Sequence, residues 1–540
     1  MTRVLVIGGY GGFGLRIARR LAADGWQVLV AGRDLARATA ACAGTPGLAP
    51  LAFDRDRDLH AVVAQHRPFA VVDAAGPFQG AGYDVARACI AERCHYLDIA
   101  DGRAFVAGIG ALDAAAREAG VAAIAGASSV PALSGAVVRA LTHDLTDLRA
   151  IDIAISASNR ATAGVAVSRA IFSYLGRPLP LWRHRRTETG HGWQDLRRAD
   201  FHVAGEPSLK GRLIALADVP DLTLLPERLP GRPAVSFRAG TELTLQNLAV
   251  WALSWLVRWG WLVHPERLLP LLLRVQRLTA KLGSDRSAMI VRTFGVRGDA
   301  RCERRWTLIA NDGCGPEIPG LAVPVLLRQL RDGALAPGAR DAGTLLTIAD
   351  VAPAFAAMPV RHAITTHDLP PPLYARVMGD AFAALPPRVR AMHDVLRDHG
   401  ARGRAVVTRG RGLIARVIAR LFGFPPAGEH DLHVSFDERD GIETWTRNFG
   451  GKAFRSRLSQ HGPLLVEAFG PLRFGFALPA DDRGLTMQMR RWWFGPLPLP
   501  LALAPRSEAR EWQADDRFQF DVPIALPMVG VIVHYRGWLA

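Results

Sequence analysis

The sequence predicts an α/β fold that opens on a doubly wound Rossmann domain, continues into an α+β second domain and ends in a mainly antiparallel β domain. Three observations carry this reading. A glycine-rich turn joins the first apolar strand to the first helix; short apolar runs alternate with helix-period segments up to about residue 130; and beyond residue 373 short alternating segments recur between turn signals. At 540 residues the chain exceeds what one core supports. The expected domains are 1–130, 131–366 and 373–540.

In the first domain the expected strands are Arg3–Ile7, Gln27–Ala31, Leu48–Phe53, Ala70–Asp73, Tyr96–Ile99 and Ala122–Ala125, each too short and too apolar for anything but a parallel sheet covered on both faces. Helices are expected over Phe13–Ala23, Leu59–Gln65, Ala81–Glu92 and Phe105–Ala119. In the second domain strands are expected at Ala150–Ser156 and Trp306–Ala310 and a helix at Leu321–Arg331, with the chain returning toward the first domain near Thr344–Val351 and Ala363. His367 to Pro372, with three consecutive prolines, reads as a linker. A helical piece, Leu373–His399, then precedes strands at Arg404–Thr408, Asp431–Phe436, Glu443–Phe449, Leu464–Ala468, Leu472–Leu478, Leu485–Trp493, Phe518–Val522 and Gly530–Tyr535, an antiparallel sheet or barrel.

The phosphate loop is the strongest motif. In Ile7-Gly8-Gly9-Tyr10-Gly11-Gly12-Phe13-Gly14 the residues Gly9, Gly11 and Gly14 fit G-x-G-x-x-G, between a strand and a helix. Such glycines allow the tight turn, the approach of backbone to pyrophosphate and the packing of helix on strand, and the helix N-terminus offers free N–H groups to phosphate. At the tip of the second strand stands Arg33, where an NAD enzyme presents a carboxylate to the ribose 2′-hydroxyl. A guanidinium there suits a 2′-phosphate, so NADP is expected, with neighbouring Asp34 as the contrary signal. Asp54, ending the third strand, is expected to accept from the adenine amino group, and the small residues of Ala75-Gly76-Pro77-Phe78 let the cofactor cross the sheet edge.

Together with Tyr96-Leu97-Asp98-Ile99 and Gly126-Ala127-Ser128-Ser129-Val130-Pro131, this loop resembles the saccharopine-dehydrogenase-like NADP-binding oxidoreductases, related to saccharopine reductases and trans-acting enoyl reductases. The likeness covers residues 1 to 365, and Gly315-Pro316-Glu317-Ile318-Pro319 resembles a turn of the related substrate domains. The tail from Tyr374 resembles a bacterial domain of unknown function, through Leu385-Pro386-Pro387-Arg388-Val389, Glu443-Thr444-Trp445-Thr446-Arg447-Asn448-Phe449 and Tyr535-Arg536-Gly537-Trp538-Leu539. The resemblance implies a hydride-transferring enzyme. Ala127-Ser128 stand where relatives often carry an acidic or aromatic residue, which argues against lysine-pathway substrates.

Proton-transfer candidates at the sheet edge are Asp98 and Ser129, with Asp101 and Ser128 beside them; capping and turn formation are the competing tasks. In the tail His393, Glu443, Trp445, Arg447 and Glu467 could line a pocket or decorate a solvated strand. His430, His433, His461 and His534 lack zinc spacing, and no metal is expected. Leu248–Val263 carries Trp251, Trp255, Trp259 and Trp261, but it is short for a membrane span and contains Arg258. It reads as a buried helix or homodimer interface, or alternatively as a peripheral membrane contact or the wall of a lipid-sized pocket.

The formal charge of +16 is almost wholly arginine, with only Lys210, Lys281 and Lys452 as lysines. No basic face with interleaved aromatics accompanies it, so nucleic acid is not an expected partner. Five cysteines without Cys-x-x-Cys spacing suggest a reducing compartment, and Met1 to Gly8 leads straight into a strand without signal-peptide features, so the expected location is cytoplasmic. The sequence thus supports an NADP(H)-dependent oxidoreductase acting on an apolar carbonyl, imine or enoyl compound. The alternative is a non-catalytic nucleotide-sensing or lipid-binding scaffold.

Overall fold

The computed structural model describes residues 2–160 and 165–540; Met1 and residues 161–164, which fall within the expected first and second domains, lie outside the described residues. Six strands build the first sheet in sequence: β1 (Arg3–Ile7), β2 (Gln27–Gly32), β3 (Leu48–Ala52), β4 (Ala70–Asp73), β5 (His95–Asp98) and β6 (Ala122–Ala125). They are parallel and ordered β6-β5-β4-β1-β2-β3, with Gly338–Asp341 added in parallel beyond β6. Every residue of β4 and β6 is buried, as helices on both faces require. The order reverses between β1 and β4, so a crevice opens beyond their carboxyl ends, beside the glycine loop that leads into helix α1 (Gly12–Ala23).

Some expectations need correction here. The fifth strand starts at His95, and an unforeseen helix, Leu35–Cys42, follows β2. The chain returns to the first sheet at Gly338–Asp341, four residues too short and polar to read as a strand, whereas Ala363 lies in Val360–Asp368 of the second sheet. The helix expected over Leu373–His399 is broken. Gly379 has a φ of 61° and Pro386-Pro387 restarts the chain, leaving helices Leu373–Met378 and Pro387–His393, and Asp398 already belongs to a strand.

The second sheet has seven strands of mixed direction around Asp147–Ala157, which pairs in parallel with Ala234–Thr241 and antiparallel with Ser287–Arg297. Its inner face does not form a core of its own. Ile151, Phe237 and Val291 join Leu21, Val137 and Leu326 in one continuous apolar cluster, so the first two domains are fused through their packing.

The tail is a closed barrel. Successive antiparallel strands from Asp398 to Leu539 form a sheet whose strand Leu472–Ala477 also pairs with Gly484–Phe494, closing ten strands into a ring. Closure removes the exposed edges an open sheet would present. Leu373, Val389, Phe436 and Leu458 belong to a separate apolar cluster within this domain.

Candidate functional site

The phosphate loop has the geometry its glycines predict. A Cβ on Gly14 would lie 2.2 Å from the Gly8 carbonyl oxygen, one on Gly9 2.8 Å from that of Val6, and one on Gly11 3.0 Å from that of Gly8. Gly8 itself has a φ of 72°, the left-handed region. Gly11 caps α1 without any side-chain hydrogen bond, so the first N–H groups of the helix are free to face an anion.

Arg33 is exposed and has no hydrogen-bond partner among the described residues. The contrary signal is accounted for: Asp34 caps the Leu35–Cys42 helix, its Oδ1 accepting from the Arg37 N–H at 3.0 Å, and its own N–H donates to the Tyr10 hydroxyl at 3.2 Å. Its carboxylate therefore serves the helix. Tyr10 lies against Gly32, where a Cβ would fall 2.4 Å from the ring, and Arg37 sits 4.7 Å from the Tyr10 centroid. Two arginines, Arg33 and Arg37, thus stand at the tip of β2 and the start of the helix after it. Asp54 is likewise a cap, accepting from the Asp56 N–H at 3.1 Å, and is half-buried at the end of β3. The adjacent Arg55 reaches across to Asp73 at 3.1 Å and to the Ala75 carbonyl at 2.8 Å, fixing the loop of Ala75, Gly76, Pro77 and Phe78.

Between this loop and the second sheet lies a cleft of about 320 Å³. Phe13, Gly76, Pro77, Phe78, Ser128 and Ser129 line it from the cofactor side, and Ile155, Phe237 and Met289 from the other. Asp98 is not among its walls. Its Oδ1 accepts from the N–H groups of Ala100 at 2.9 Å and Gly126 at 2.7 Å, tying β5 to β6, and burial pushes it up to about 7.

Among the described residues three titratable groups face the cleft: Asp101, Asp218 and Tyr174. Burial raises both carboxyls, with Gln79 Nε2 donating to Asp101 at 3.0 Å and Arg103 lying 3.3 Å from Asp218. Burial and these two carboxyls hold Tyr174 well above the ordinary phenol value, so it stays protonated. Asp218 and Tyr174 carry no sequence signal. They stand far along the chain and acquire meaning only when the second domain folds over the first.

The described residues also gather His184, Asp398 and Asp437 in a set that could hold a metal ion. It lies where the second domain meets the barrel, outside the walls of the cleft, and His184 is ion-paired there with Asp437 at 3.2 Å, Asp398 at 3.4 Å and Glu188 at 3.1 Å. The tryptophan helix is Thr244–Arg258: Trp251 packs on the shared core, while Trp259 and Trp261 are exposed. No helix among the described residues is long and apolar enough to cross a membrane.

Residues 4–124 match the model of the saccharopine dehydrogenase NADP binding domain, and residues 385–539 match the Domain of unknown function (DUF4166). No curated protein matches the sequence. Among solved structures, GenD2 from gentamicin A biosynthesis in complex with NAD is 17% identical over 55% of this chain and 70% of its own, with a TM-score of 0.28. Actinorhodin polyketide ketoreductase with NADPH is 20% identical over 23% of this chain and 68% of its own, at 0.20. Salutaridine reductase from Papaver somniferum is 19% identical over 14% of this chain, at 0.13, and the chain spans only 30% of its length. At such scores the sheet order described above defines the fold.

Proposed function

We propose that the NADP-binding domain carried by this chain serves an oxidoreductase whose active site is the cleft between the first and second domains, and whose substrate is an apolar carbonyl, imine or enoyl compound. The observation that carries this reading is the cleft itself, walled on one side by the ends of the cofactor-binding strands and on the other by apolar side chains of the second sheet. A bound nicotinamide cofactor supplies hydride chemistry. The protein's residues do the rest. Gly8 to Gly14 and the α1 N-terminus cradle the phosphates, Arg33 with Arg37 selects the 2′-phosphate, and Phe13 and Phe78 exclude water. Tyr174, kept protonated beside Asp101 and Asp218, is the proton donor of this reading, with Ser129 as a second hydroxyl on the cofactor side. Asp98 holds strands together instead.

Fluorescence titration with NADPH and NADH tests the cofactor half. NADPH binds more tightly to the wild type, Gly11→Asp abolishes binding of both, and Arg33→Ala weakens NADPH alone by about 10- to 100-fold, the worth of one charge-assisted contact. Failure of the wild type to bind either nucleotide would sink the enzyme reading.

A further inference from the structure

The barrel contains a second cavity, of about 260 Å³, that has no part in the cofactor cleft. An apolar cavity of about 150 Å³ already accommodates benzene, so this is a ligand-sized space and too large for a packing defect. Its walls are apolar along most of their length, including Leu432, Val434, Phe476 and Ala509, while one region is polar and built from Arg447, Glu467, Glu511 and Tyr535.

The polar region defines a headgroup. Arg447 is committed, donating to Ser456 Oγ at 2.8 Å and to Glu467 at 3.1 Å, and Glu511 lies 2.6 Å from His393 Nε2. No cation there is left without a carboxylate, so an anionic head would meet two glutamates and no free positive charge. The Tyr535 hydroxyl, on a residue 7% exposed that lines the cavity, has no hydrogen-bond partner among the described residues. A neutral hydroxyl-bearing head satisfies both sides: it accepts from Tyr535 and donates to a glutamate oxygen.

The way in is set by topology. Strands of an up-and-down barrel alternate direction, so alternate turns share an end. The helix Leu413–Leu421, the turn at 528 and the loop from 494 to 507 all fall at one end, and they carry exposed apolar side chains: Leu413, Val417, Leu421, Phe494, Leu497 and Met528. The helix rests on the barrel through buried Ala415 and Ala419, and Ile418 beneath it lines the cavity. Arg416, Arg420, Arg490 and Arg491 are exposed at the same end. An apolar rim among arginines matches an anionic bilayer surface.

We infer that the barrel binds one neutral, long-chain, hydroxyl-bearing amphiphile, taken up from an anionic membrane surface through this rim. The inference is independent of the cofactor reading, and Gly11→Asp leaves it untouched.

The test uses the full chain and the fluorescent probe N-phenyl-1-naphthylamine. The wild type binds the probe saturably; 1-hexadecanol displaces it, and palmitate does so about tenfold more weakly because of its charge. Ala509→Phe, which fills the cavity, abolishes probe binding. Tyr535→Phe weakens hexadecanol by about tenfold and leaves the probe unaffected, the worth of one hydrogen bond. Val417→Asp with Leu421→Asp slows loading of hexadecanol from vesicles of phosphatidylcholine and phosphatidylglycerol without changing the final occupancy. Absence of saturable probe binding by folded wild type would overturn the cavity assignment, and so would undiminished binding by folded Ala509→Phe. Should Ala509→Phe not fold, Tyr535→Phe and palmitate decide: equal displacement in both comparisons overturns the headgroup. An unchanged loading rate overturns the route.

Discussion

Asp98 shows how a residue with a catalytic look can be engaged by architecture. It is 0% exposed, its Oδ1 takes two backbone N–H groups, and Tyr96 lies beside it, yet burial outweighs the hydrogen bonds and raises it to about 7. An acid with a folded value above its unfolded value of 3.8 costs stability once the unfolded chain has lost its proton. Its contribution therefore falls as pH rises from about 4 to about 7 and is level beyond that, for a total on the order of 4 kcal/mol at about 1.4 kcal/mol per unit. Denaturant unfolding of wild type and Asp98→Asn checks this: the stability difference between them drifts by that order across the window, and a flat difference would mean that Asp98 is ionised throughout. The phosphate loop was legible at this scale because its demands are local, with Gly14 forbidden a Cβ by a carbonyl six residues away. Tyr174 was not, because its neighbours Asp101 and Asp218 are distant in the chain.

Among the elements, the inner strands β1, β4 and β6 of the first sheet were legible because each is a short apolar run buried along almost its whole length, whereas the barrel lost strands at telling places. Lys452–His461 and Glu508–Ala514 went unforeseen; their inward positions include the polar Ser456 and Glu511, although Glu443 and Glu467 are buried on strands that were foreseen. The hairpin turn at His184 is another element whose role only the structure reveals. His184 has a φ of 49° and is 6% exposed; its N–H donates to Asp398 at 2.8 Å, and a Cβ on Gly400 would strike its carbonyl at 2.0 Å. Although burial opposes the charge, Asp437, Glu188 and Asp398 raise its imidazole to about 10, while Glu188 is lowered to about 2 and burial lifts Asp398 to about 6. A histidine raised this way stabilises fully below its unfolded value of about 6.5 and loses that contribution as pH climbs through about 10. His184→Asn keeps a residue type that tolerates left-handed backbone and removes the charge. It should destabilise docking of the barrel by a few kcal/mol at pH 7 and by nearly nothing above pH 10.5, roughly. Thermal unfolding across that range checks it, and a pH-independent loss would assign the effect to shape.

The whole molecule divides along its cores and not along its sequence domains. The main apolar clusters of residues up to Asp368 and of the barrel are separate, and the boundary between them holds one small apolar contact, of Leu396 with Ala150 and Phe294, and is otherwise dressed with ion pairs: the His184 set, Arg397 with Asp152, and Arg149 and Arg301 with Asp394. Such polar boundaries are weak couplers compared with continuous apolar packing. Two unfolding transitions are therefore expected in calorimetry. A ligand that binds only one folded unit stabilises that unit alone, by about 2.7 kcal/mol at a hundredfold excess over its dissociation constant. NADPH should raise the transition of the 2–368 unit by a few degrees and leave that of the barrel in place, and Gly11→Asp should remove the shift. If NADPH instead moves a single transition bodily, the ion-paired boundary transmits stability between the units, and occupancy of the cofactor loop would then be felt at the barrel.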